Sequence, residues 1–342
     1  MAGLRSLPHM EDRFGHLISY LRVSITDRCN ERCIYCMPQE LQEWLPRHEV
    51  LNYDEITRLV RIASELGVAK VRITGGEPLT RRDVLTLFRQ LNELPRISDI
   101  GVSTNGSLLA KRFETGETLA EALVRLGVRT ANVSLDTLDP EKYRAITGRD
   151  FLQQTLDGIA AAKAARFEKV KLNAVLMRGR NEEDIGDLIR FARNEDLLLR
   201  FIELMPVSTT DVLNEENFLS VGEARRKIEA EFGTLIPEPG FRTNGPALYY
   251  RFQQSRQRIG FIGAMTNLHF CESCNKLRLT CDGKLRPCLG SHLEFDVKTP
   301  MRQGATDAQL RRFFLEVVDR KPQQHDFRYN YQPGRKMVAI GG

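Results

Sequence analysis

Short apolar runs rich in β-branched residues alternate with amphipathic stretches along the chain up to about residue 205. Apolar positions at every second residue are typical of strands, and a spacing of about 3.6 residues is typical of helices. The predicted strands are Leu21–Ile25, Lys70–Thr74, Ile100–Thr104, Thr130–Leu135, Val170–Leu176 and Leu198–Leu204. The predicted helices are Asp54–Leu66, Arg82–Leu91, Thr118–Leu126, Phe151–Ala165 and Glu182–Arg193.

This alternation predicts an α/β fold with a parallel sheet, because parallel strands are joined by right-handed helical crossovers. Only six such units occur before residue 205, whereas a closed TIM barrel has eight. We therefore expect a partial (β/α)6 TIM-type barrel. The active sites of such folds lie at the carboxyl ends of the strands.

The pattern changes after residue 205. A polar loop leads to a helix that is predicted to begin near Ser220, and β-like runs follow at Leu248–Phe252 and Ile259–Ile262. We expect this smaller α+β region to cover the open side of the barrel. The predicted domains are residues 1–220 for the barrel and residues 221–342 for the C-terminal region.

Composition narrows the class of protein. The chain has 342 residues, of which 42% are hydrophobic and 28% are charged, and it has no apolar run that would predict a membrane-spanning helix. The N-terminus lacks the apolar segment of a secretory signal, so seven cysteines predict a reducing, cytoplasmic setting in which thiols bind metal. The net charge of +5 is mild, and it favours an anionic ligand in a cavity over a nucleic-acid groove.

The most informative motif is SITDRCNERCIYCMP, which follows the first predicted strand and places Cys29, Cys33 and Cys36 in a C-x3-C-x2-C pattern. A [4Fe–4S] cluster takes four protein thiolates when it is fully ligated. Three thiolates would leave one iron open to a small molecule, as in catalytic metal sites with an open position. The alternatives are a zinc knuckle, for which His48 is the nearest fourth ligand, and three unrelated buried thiols.

A second cysteine group lies in the C-terminal region. Cys271, Cys274 and Cys288 have the spacing C-x2-C-x13-C, and Cys281 lies between the last two. The four together could form a zinc site, because structural zinc is usually bound by four ligands. Cys281 could instead be a small buried residue.

The second predicted strand ends in KVRITGGEP. Gly75 and Gly76 would let the backbone approach a ligand closely, and carbonyl groups together with Glu77 would accept hydrogen bonds from an ammonium group. A tight turn would explain the two glycines equally well. The motif carries weight because it follows the cysteine triplet by one strand–helix unit.

The two motifs together resemble the radical S-adenosylmethionine (SAM) superfamily and, within it, the GTP 3′,8-cyclases of molybdenum cofactor biosynthesis. The resemblance extends from about Phe14 to the terminal Gly341-Gly342 and includes STNG, NVSLDTL, FEKVKLNAVLMRG and RFIELMP. It implies a partial (β/α)6 barrel closed by a C-terminal region, SAM and two [4Fe–4S] clusters as cofactors, and radical cyclisation of GTP. It assigns Cys29, Cys33 and Cys36 to the first cluster and Cys271, Cys274 and Cys288 to the second.

The resemblance also implies the ligand-binding residues. The SAM residues are Tyr35, Gly76, Glu77, Ser134 and Met205. The GTP residues are Arg22, Arg72, Ser103, Lys171, Arg200, Lys276, Leu277 and Arg278. The residues assigned to catalysis are Arg72, Lys171, Gly341 and Gly342. Three positions depart from the family pattern, namely Ser103 in place of Thr, Lys276 in place of Arg, and the additional Cys281.

The implied partners are the substrate GTP, an electron donor, a second copy of the chain in a homodimer, and the pyranopterin-forming enzyme of the next step. Neither nucleic acid nor membrane is expected. Two other classes stay open, namely a peptide-modifying radical SAM enzyme with an auxiliary cluster and a non-catalytic protein that binds zinc or nucleic acid. The terminal Gly-Gly and the basic residues at strand ends favour the GTP enzyme.

Overall fold

Six parallel strands form the centre of one continuous sheet. The computed structural model describes residues 9–38, 43–208, 210, 212–243, 245–329 and 331–341. All six predicted strands are present within two residues of their expected bounds. Their order along the sheet follows their order in the chain, and every neighbouring pair is parallel. They are β1 (Tyr20–Ser24), β2 (Lys70–Thr74), β3 (Asp99–Thr104), β4 (Val128–Ser134), β5 (Lys169–Leu176) and β6 (Leu198–Glu203).

Helices join these strands and bury their apolar faces against the sheet. The helices are α1 (Tyr53–Glu65), α2 (Val84–Asn92), α3 (Leu119–Arg125), α4 (Pro140–Thr147), α5 (Leu152–Ala164) and α6 (Ile185–Asn194). Asn52 and Glu55 form the predicted capping box at α1. Helix α2 begins two residues later than predicted because Asp83 has a left-handed backbone, with φ of 55°. Helix α4 was not predicted, although Asp139-Pro140 is a typical helix start.

The C-terminal region adds strands to both edges of the sheet. The elements are α7 (Val221–Phe232), β7 (Leu235–Pro237), β8 (Leu248–Phe252), β9 (Arg258–Ile262), β10 (Lys276–Leu279), β11 (Lys284–Arg286), β12 (Phe295–Asp296), α8 (Lys298–Arg302), α9 (Asp307–Asp319) and α10 (Met337–Ile340). Strand β9 pairs in parallel with β6, and β10 pairs in parallel with β1. The open, partial barrel is therefore confirmed, but the C-terminal region extends the sheet as well as covering it.

Glu203, at the end of β6, anchors the C-terminal region to the barrel. Its carboxylate is completely buried and accepts hydrogen bonds from the backbone N–H groups of Val221 (3.0 Å), Met265 (2.8 Å) and Thr266 (3.1 Å). One side chain thus holds the start of α7 and the loop after β9 against the sheet. Because the sheet runs through both regions, the division into residues 1–220 and 221–342 stays a prediction. No helix in the described ranges has the length and apolar character needed to span a bilayer.

Candidate active site

A cavity of about 360 Å³ opens at the carboxyl ends of the central strands. Its wall contains all six cysteines of the two triplets and most of the other residues predicted from the sequence. Among the predicted residues that the structure describes, only Leu277 and Gly341 do not line it. The side chain of Leu277 is 1% exposed and lies in the hydrophobic core, so it offers no side-chain contact to a ligand.

The first cysteine triplet lies on the loop after β1, and helix α4 fixes the position of this loop. The backbone N–H groups of Arg32 and Ile34 donate to the carbonyl groups of Thr147 (2.7 Å) and Ile146 (2.9 Å), at the C-terminal end of α4. Burial raises the pKa of Cys36 to about 12. Such a thiol keeps its proton until a metal replaces it, as binding of metal by cysteine requires.

The first triplet supplies the donor set of a cluster that is bound on three irons. No group of three or more Cys, His, Asp or Glu side chains within the described ranges could hold one metal ion. Three free thiols that face one cavity from a single loop therefore fit a cube that is bound on three irons.

Gly75 and Gly76 are required by the cysteine loop itself. The N–H of Gly76 donates to the carbonyl of Thr26 at 2.8 Å, and that of Glu77 donates to the carbonyl of Arg28 at 2.9 Å. A Cβ atom on Gly76 would lie 2.2 Å from the carbonyl oxygen of Arg28. The glycines thus allow two backbones to pack together, and this contact positions the loop that carries the first triplet.

The carboxylates of the cavity are already hydrogen-bonded by the protein. Glu77 is 1% exposed and accepts from the backbone N–H groups of Leu79 (3.0 Å) and Asn105 (2.8 Å) and from the hydroxyl of Thr104 (2.8 Å). Burial raises its pKa to about 7. A carboxylate has about four lone-pair sites, so Glu77 mainly fastens the loops after β2 and β3 and has one site left for a ligand.

Asp136 is a site residue that the sequence analysis missed. It accepts from the hydroxyl of Tyr35 at 2.7 Å and from the backbone N–H of Val175 at 2.8 Å, so it holds the cysteine loop against β5. Burial raises its pKa to about 6. It lies two residues after Ser134, which is exposed to the cavity at the end of β4. The signal was present in NVSLDTL, where a buried Asp follows a strand.

The opposite wall of the cavity is cationic. Arg22 is paired in the sheet register with Arg72 on one side and with Arg278 on the other, so three guanidinium groups start from adjacent strands. Lys171 and Arg200 extend this wall on β5 and β6. The side chains of this wall are the candidate anion-binding groups, and Tyr20, Ser103 and Lys276 lie beside them.

Arg72, Lys171 and Arg200 are nearly completely buried, with exposures of 3%, 4% and 5%. Within the described ranges none of the three forms an ion pair. Arg72 donates to the carbonyl groups of Val102 (3.2 Å) and Thr130 (3.0 Å), and Arg200 donates to the amide oxygen of Asn173 (2.9 Å). A buried cation is costly unless it has a counter-charge. This wall is therefore built to receive an anion.

Mutual repulsion and burial shift the pKa values of this wall. Burial, together with Arg200 and Arg72, lowers the pKa of Lys171 to about 7. Burial and the charge of Arg22 lower the pKa of Arg278 to about 9. Burial alone would raise the pKa of Tyr20, but the two neighbouring arginines outweigh it and lower that pKa to about 8. All three shifts would be relieved by a bound polyanion.

The second cysteine triplet faces the cavity from two chain segments. Cys271 and Cys274 precede β10, and Cys288 follows β11. Burial raises the pKa of Cys288 to about 11. The pKa of Cys274 is lowered although burial opposes this, because the ammonium group of Lys321 lies beside it.

Cys281 lies apart from this triplet. It is completely buried in the turn between β10 and β11, does not line the cavity, and directs its sulfur toward the carbonyl of Ala339 at 3.9 Å. Burial and Asp282 raise its pKa to about 12. The structure therefore does not bring the four thiols of the alternative zinc site together.

The C-terminal tail ends beside the cationic wall. Arg278 donates to the carbonyl of Gly341 at 2.7 Å. Gly341 has φ of 88°, and a Cβ atom there would lie 2.8 Å from Thr74 and 2.9 Å from Ser24. Only a residue without a side chain fits between the ends of β1 and β2. Gly342, which was also predicted to act in catalysis, lies outside the described residues.

Asn132 is a second site residue that the sequence analysis missed. It lines the cavity on β4, is 6% exposed, and its side-chain oxygen has no hydrogen-bond partner within the described ranges. Its register position lies between Ser103 and Lys171. A buried acceptor without a partner carries a desolvation cost, which a ligand hydroxyl or amine would remove.

Comparisons with known proteins agree with this geometry. Residues 23–192 match the radical SAM superfamily, and residues 197–327 match the family described as Molybdenum Cofactor Synthesis C. The chain is 42% identical over 334 residues to a GTP 3′,8-cyclase of Thermodesulfovibrio yellowstonii, which covers 97% of this chain and 100% of the relative. A GTP 3′,8-cyclase of Moorella thermoacetica is 42% identical over 333 residues, with the same coverage.

Solved structures share the fold at low sequence identity. SuiB of Streptococcus suis superposes with a TM-score of 0.59 and 16% identity, covering 92% of this chain and 69% of that protein. The structure described as native anSMEcpe with bound AdoMet gives a TM-score of 0.56 and 14% identity, covering 90% of this chain and 82% of that protein. These similarities establish the partial barrel but not the substrate.

We predict that Gly76→Ala weakens the first cluster site without unfolding the barrel. The new methyl group would displace the carbonyl of Arg28 and with it the cysteine loop, so iron bound at the first triplet should fall by half or more after anaerobic reconstitution. Gly240→Ala is the matched control, because no atom lies within 4 Å of a Cβ there. Equal iron contents in the two variants would contradict the packing role of Gly76.

Proposed function

This chain belongs to the GTP 3′,8-cyclase family of the radical SAM superfamily, and on that premise we propose that it converts GTP to 3′,8-cyclo-7,8-dihydroguanosine triphosphate in molybdenum cofactor biosynthesis. The observation that carries the proposal is that one cavity contains two cysteine triplets and a cationic wall, in which the buried Arg72, Lys171 and Arg200 form no ion pair within the described ranges. The triplets suit two clusters, and the cations suit a triphosphate.

The radical SAM family uses a [4Fe–4S] cluster and SAM, and its GTP 3′,8-cyclases carry an additional C-terminal cluster. We assign Cys29, Cys33 and Cys36 to the first cluster. We assign Cys271, Cys274 and Cys288 to the second. When bound, the first cluster and SAM supply the one-electron chemistry that generates a hydrogen-abstracting radical. The protein positions the reactants and keeps competing reactions away.

The residues that we propose for SAM line the same cavity as the first triplet. The loops of Gly76 and Ser134 offer backbone and hydroxyl groups at the ends of β2 and β4, while Tyr35 and Met205 provide apolar surface. Glu77 has one lone-pair site left for an ammonium group, and its other contacts hold two loops in place. We propose that these five residues bind SAM.

The triphosphate of GTP would lie along the cationic wall. Guanidinium groups bind phosphate through paired, charge-assisted hydrogen bonds, so Arg22, Arg72, Arg200 and Arg278 are the principal contacts. Lys171 adds a compact charge. We propose Ser103 and Lys276 as further GTP contacts and note that Leu277 can take part only through its backbone. The guanine would then face the second triplet.

The peptide-modifying alternative draws on fold similarity alone. SuiB and anSMEcpe share the partial barrel at 16% and 14% identity. A peptide has no need of several buried cations without counter-charges, whereas a triphosphate does. The zinc alternative is not favoured because the four C-terminal thiols do not converge.

Several further features belong to the proposal. We propose a cytoplasmic location, an electron donor that reduces the clusters, a homodimer, and delivery of the product to a pyranopterin-forming enzyme. We also propose the division into a barrel domain and a C-terminal domain, and a catalytic role for Arg72, Lys171 and the terminal Gly341-Gly342.

An isotope experiment tests the proposed reaction. Reconstituted protein given SAM, a low-potential reductant and GTP deuterated at C3′ should release 5′-deoxyadenosine that carries the deuterium, together with a nucleotide that has lost it. Mass spectrometry of both products provides the measurement. Unlabelled 5′-deoxyadenosine from the unmutated enzyme would contradict hydrogen abstraction from C3′.

In Arg72→Ala, GTP binding should weaken about tenfold or more, because a charge-assisted hydrogen bond is worth roughly 1.5–3 kcal/mol.

We predict that Cys281→Ser retains both clusters. The unmutated chain should bind about eight irons, four for each cube, and the serine variant should bind the same number, because Cys281 does not line the cavity. Cys274→Ser is the matched control and should lose about half of the iron. Loss of half of the iron from Cys281→Ser would instead make Cys281 a ligand.

We predict that GTP affinity declines as the pH rises through about 7. The pKa of Lys171 in the free protein is about 7, so the fraction of protein molecules with a neutral Lys171 increases as the pH rises through this value. Each of these molecules must take up a proton to bind a polyanion, which lowers the affinity. The terminal phosphate of GTP also titrates, with a second pKa of about 6, so the two proteins must be compared. Lys171→Arg keeps its charge and should lose the part of the pH dependence that comes from Lys171. Calorimetry in buffers of different ionisation enthalpy should show less proton uptake in this variant than in the unmutated protein. The same pH slope in both proteins would remove Lys171 from the phosphate site.

A further inference from the structure

Lys321 is a buried cation that is not among the proposed SAM, GTP or cluster ligands. It follows helix α9, and its side chain is 5% exposed. Its ammonium nitrogen lies 2.5 Å from the carbonyl oxygen of Pro287, 3.2 Å from that of Lys276 and 3.5 Å from the sulfur of Cys274. Within the described ranges it forms no ion pair with a carboxylate.

The three acceptors belong to the two segments that carry the second triplet. Lys276 lies two residues after Cys274, and Pro287 directly precedes Cys288. An ammonium group has three N–H donors, so one side chain can tie both segments and one cysteine sulfur together. The helix that precedes Lys321 is itself held in the core by Phe314 and Val317. The ammonium group therefore has a fixed position.

Within the described ranges the ammonium group of Lys321 contacts two neutral carbonyl groups and the sulfur of Cys274, and no carboxylate. Burial of an isolated ammonium group is costly, and two neutral carbonyl groups compensate for it only in part. A thiolate at Cys274 would supply the missing negative charge. Cysteine binds metal as the thiolate. When Cys274 binds the cluster, its thiolate therefore also compensates for the charge of Lys321.

We propose that Lys321 is a positioning residue for the second cluster, holding the thiolate of Cys274 and the two cysteine segments through hydrogen bonds and balancing the negative charge of the bound cluster. This rests on the proposed function, which places that cluster on Cys271, Cys274 and Cys288. Hydrogen bonds to cluster sulfurs and nearby charges set the reduction potential of iron–sulfur centres. Groups outside the ligand shell typically alter metal affinity 10–100-fold.

The test isolates the second cluster. In a chain with Cys29, Cys33 and Cys36 all changed to Ala, the iron and sulfide that remain after reconstitution belong to the C-terminal triplet. Into this chain we would introduce Lys321→Met, which keeps the apolar stem and removes the ammonium group, or Lys321→Arg, which keeps the charge. Lys111→Met is the matched control, because Lys111 is an exposed lysine outside the cavity. Iron release to a chelator and the midpoint potential by redox titration are the readouts.

Lys321→Met should release iron about tenfold faster or more and should have a more negative midpoint potential, because a positive charge near the cluster has been removed. Lys321→Arg should keep the potential close to that of the parent, and Lys111→Met should match the parent in both readouts. Circular dichroism of each cluster-free protein verifies that the fold is unchanged.

Three results would overturn the proposal. In the first, release rate and potential are the same in Lys321→Met as in Lys111→Met. In the second, Lys321→Arg loses iron as fast as Lys321→Met with the same shift in potential, which would assign Lys321 to packing. In the third, the parent chain with Lys321 intact binds no iron and sulfide. That last result would refute the second cluster and the role of Lys321 with it, whereas the first two would leave the proposed function in place.

Discussion

The burial of charge without a counter-charge is the constraint on which this site depends. On the side of the first triplet, Glu77, Asp136 and Glu203 accept hydrogen bonds from backbone and hydroxyl donors, which offset part of the cost of burying these carboxyl groups. On the other side, Arg72 and Lys171 are nearly completely buried and have no carboxylate partner within the described ranges. The acids therefore already have hydrogen-bond donors within the protein, whereas Arg72 and Lys171 lack a counter-charge within the described ranges, which favours the binding of an anion. Without a bound anion, the burial of these cations lowers the stability of the folded protein.

The register of the sheet determines where the arginines of the cationic wall lie. Arg22 lies opposite Arg72 and Arg278 because β10, from the C-terminal region, pairs in parallel with β1. The barrel strands alone would supply two of these three arginines. The third arrives on β10, which follows Cys274 along the chain, so the cationic wall and the second cysteine triplet are positioned by one pairing. Addition of β10 to the barrel therefore completes the anion site and brings the two triplets into one cavity.

Sequence patterns predicted the six barrel strands because each is a short apolar run between turns, and such runs are specified locally. They did not predict β10, whose four residues alternate charged and apolar side chains and become a strand only by pairing with β1. The cysteine triplets were visible from their spacing. Asp136 and Asn132 were not singled out, because their importance comes from what surrounds them in three dimensions. Gly76 was predicted because a glycine lets a ligand approach the backbone, and the structure adds a second reason, since a Cβ atom there would meet the carbonyl of Arg28.

Lys321 is the clearest example of a residue whose role could not be predicted from the sequence. In the sequence it is one of 50 basic residues, and it lies 47 positions from Cys274. Only the fold shows that its charge is buried and that its nearest negative partner would be a cysteine sulfur. The same reasoning separates Cys281 from Cys274, because the sulfur of Cys281 is directed toward the carbonyl of Ala339 and its pKa is raised, whereas the ammonium group of Lys321 lies 3.5 Å from the sulfur of Cys274 and lowers the pKa of that thiol. A thiol favours ionisation where a cation is already buried beside it. Buried positive charge therefore distinguishes Cys274 from Cys281, a distinction that spacing in the sequence does not make.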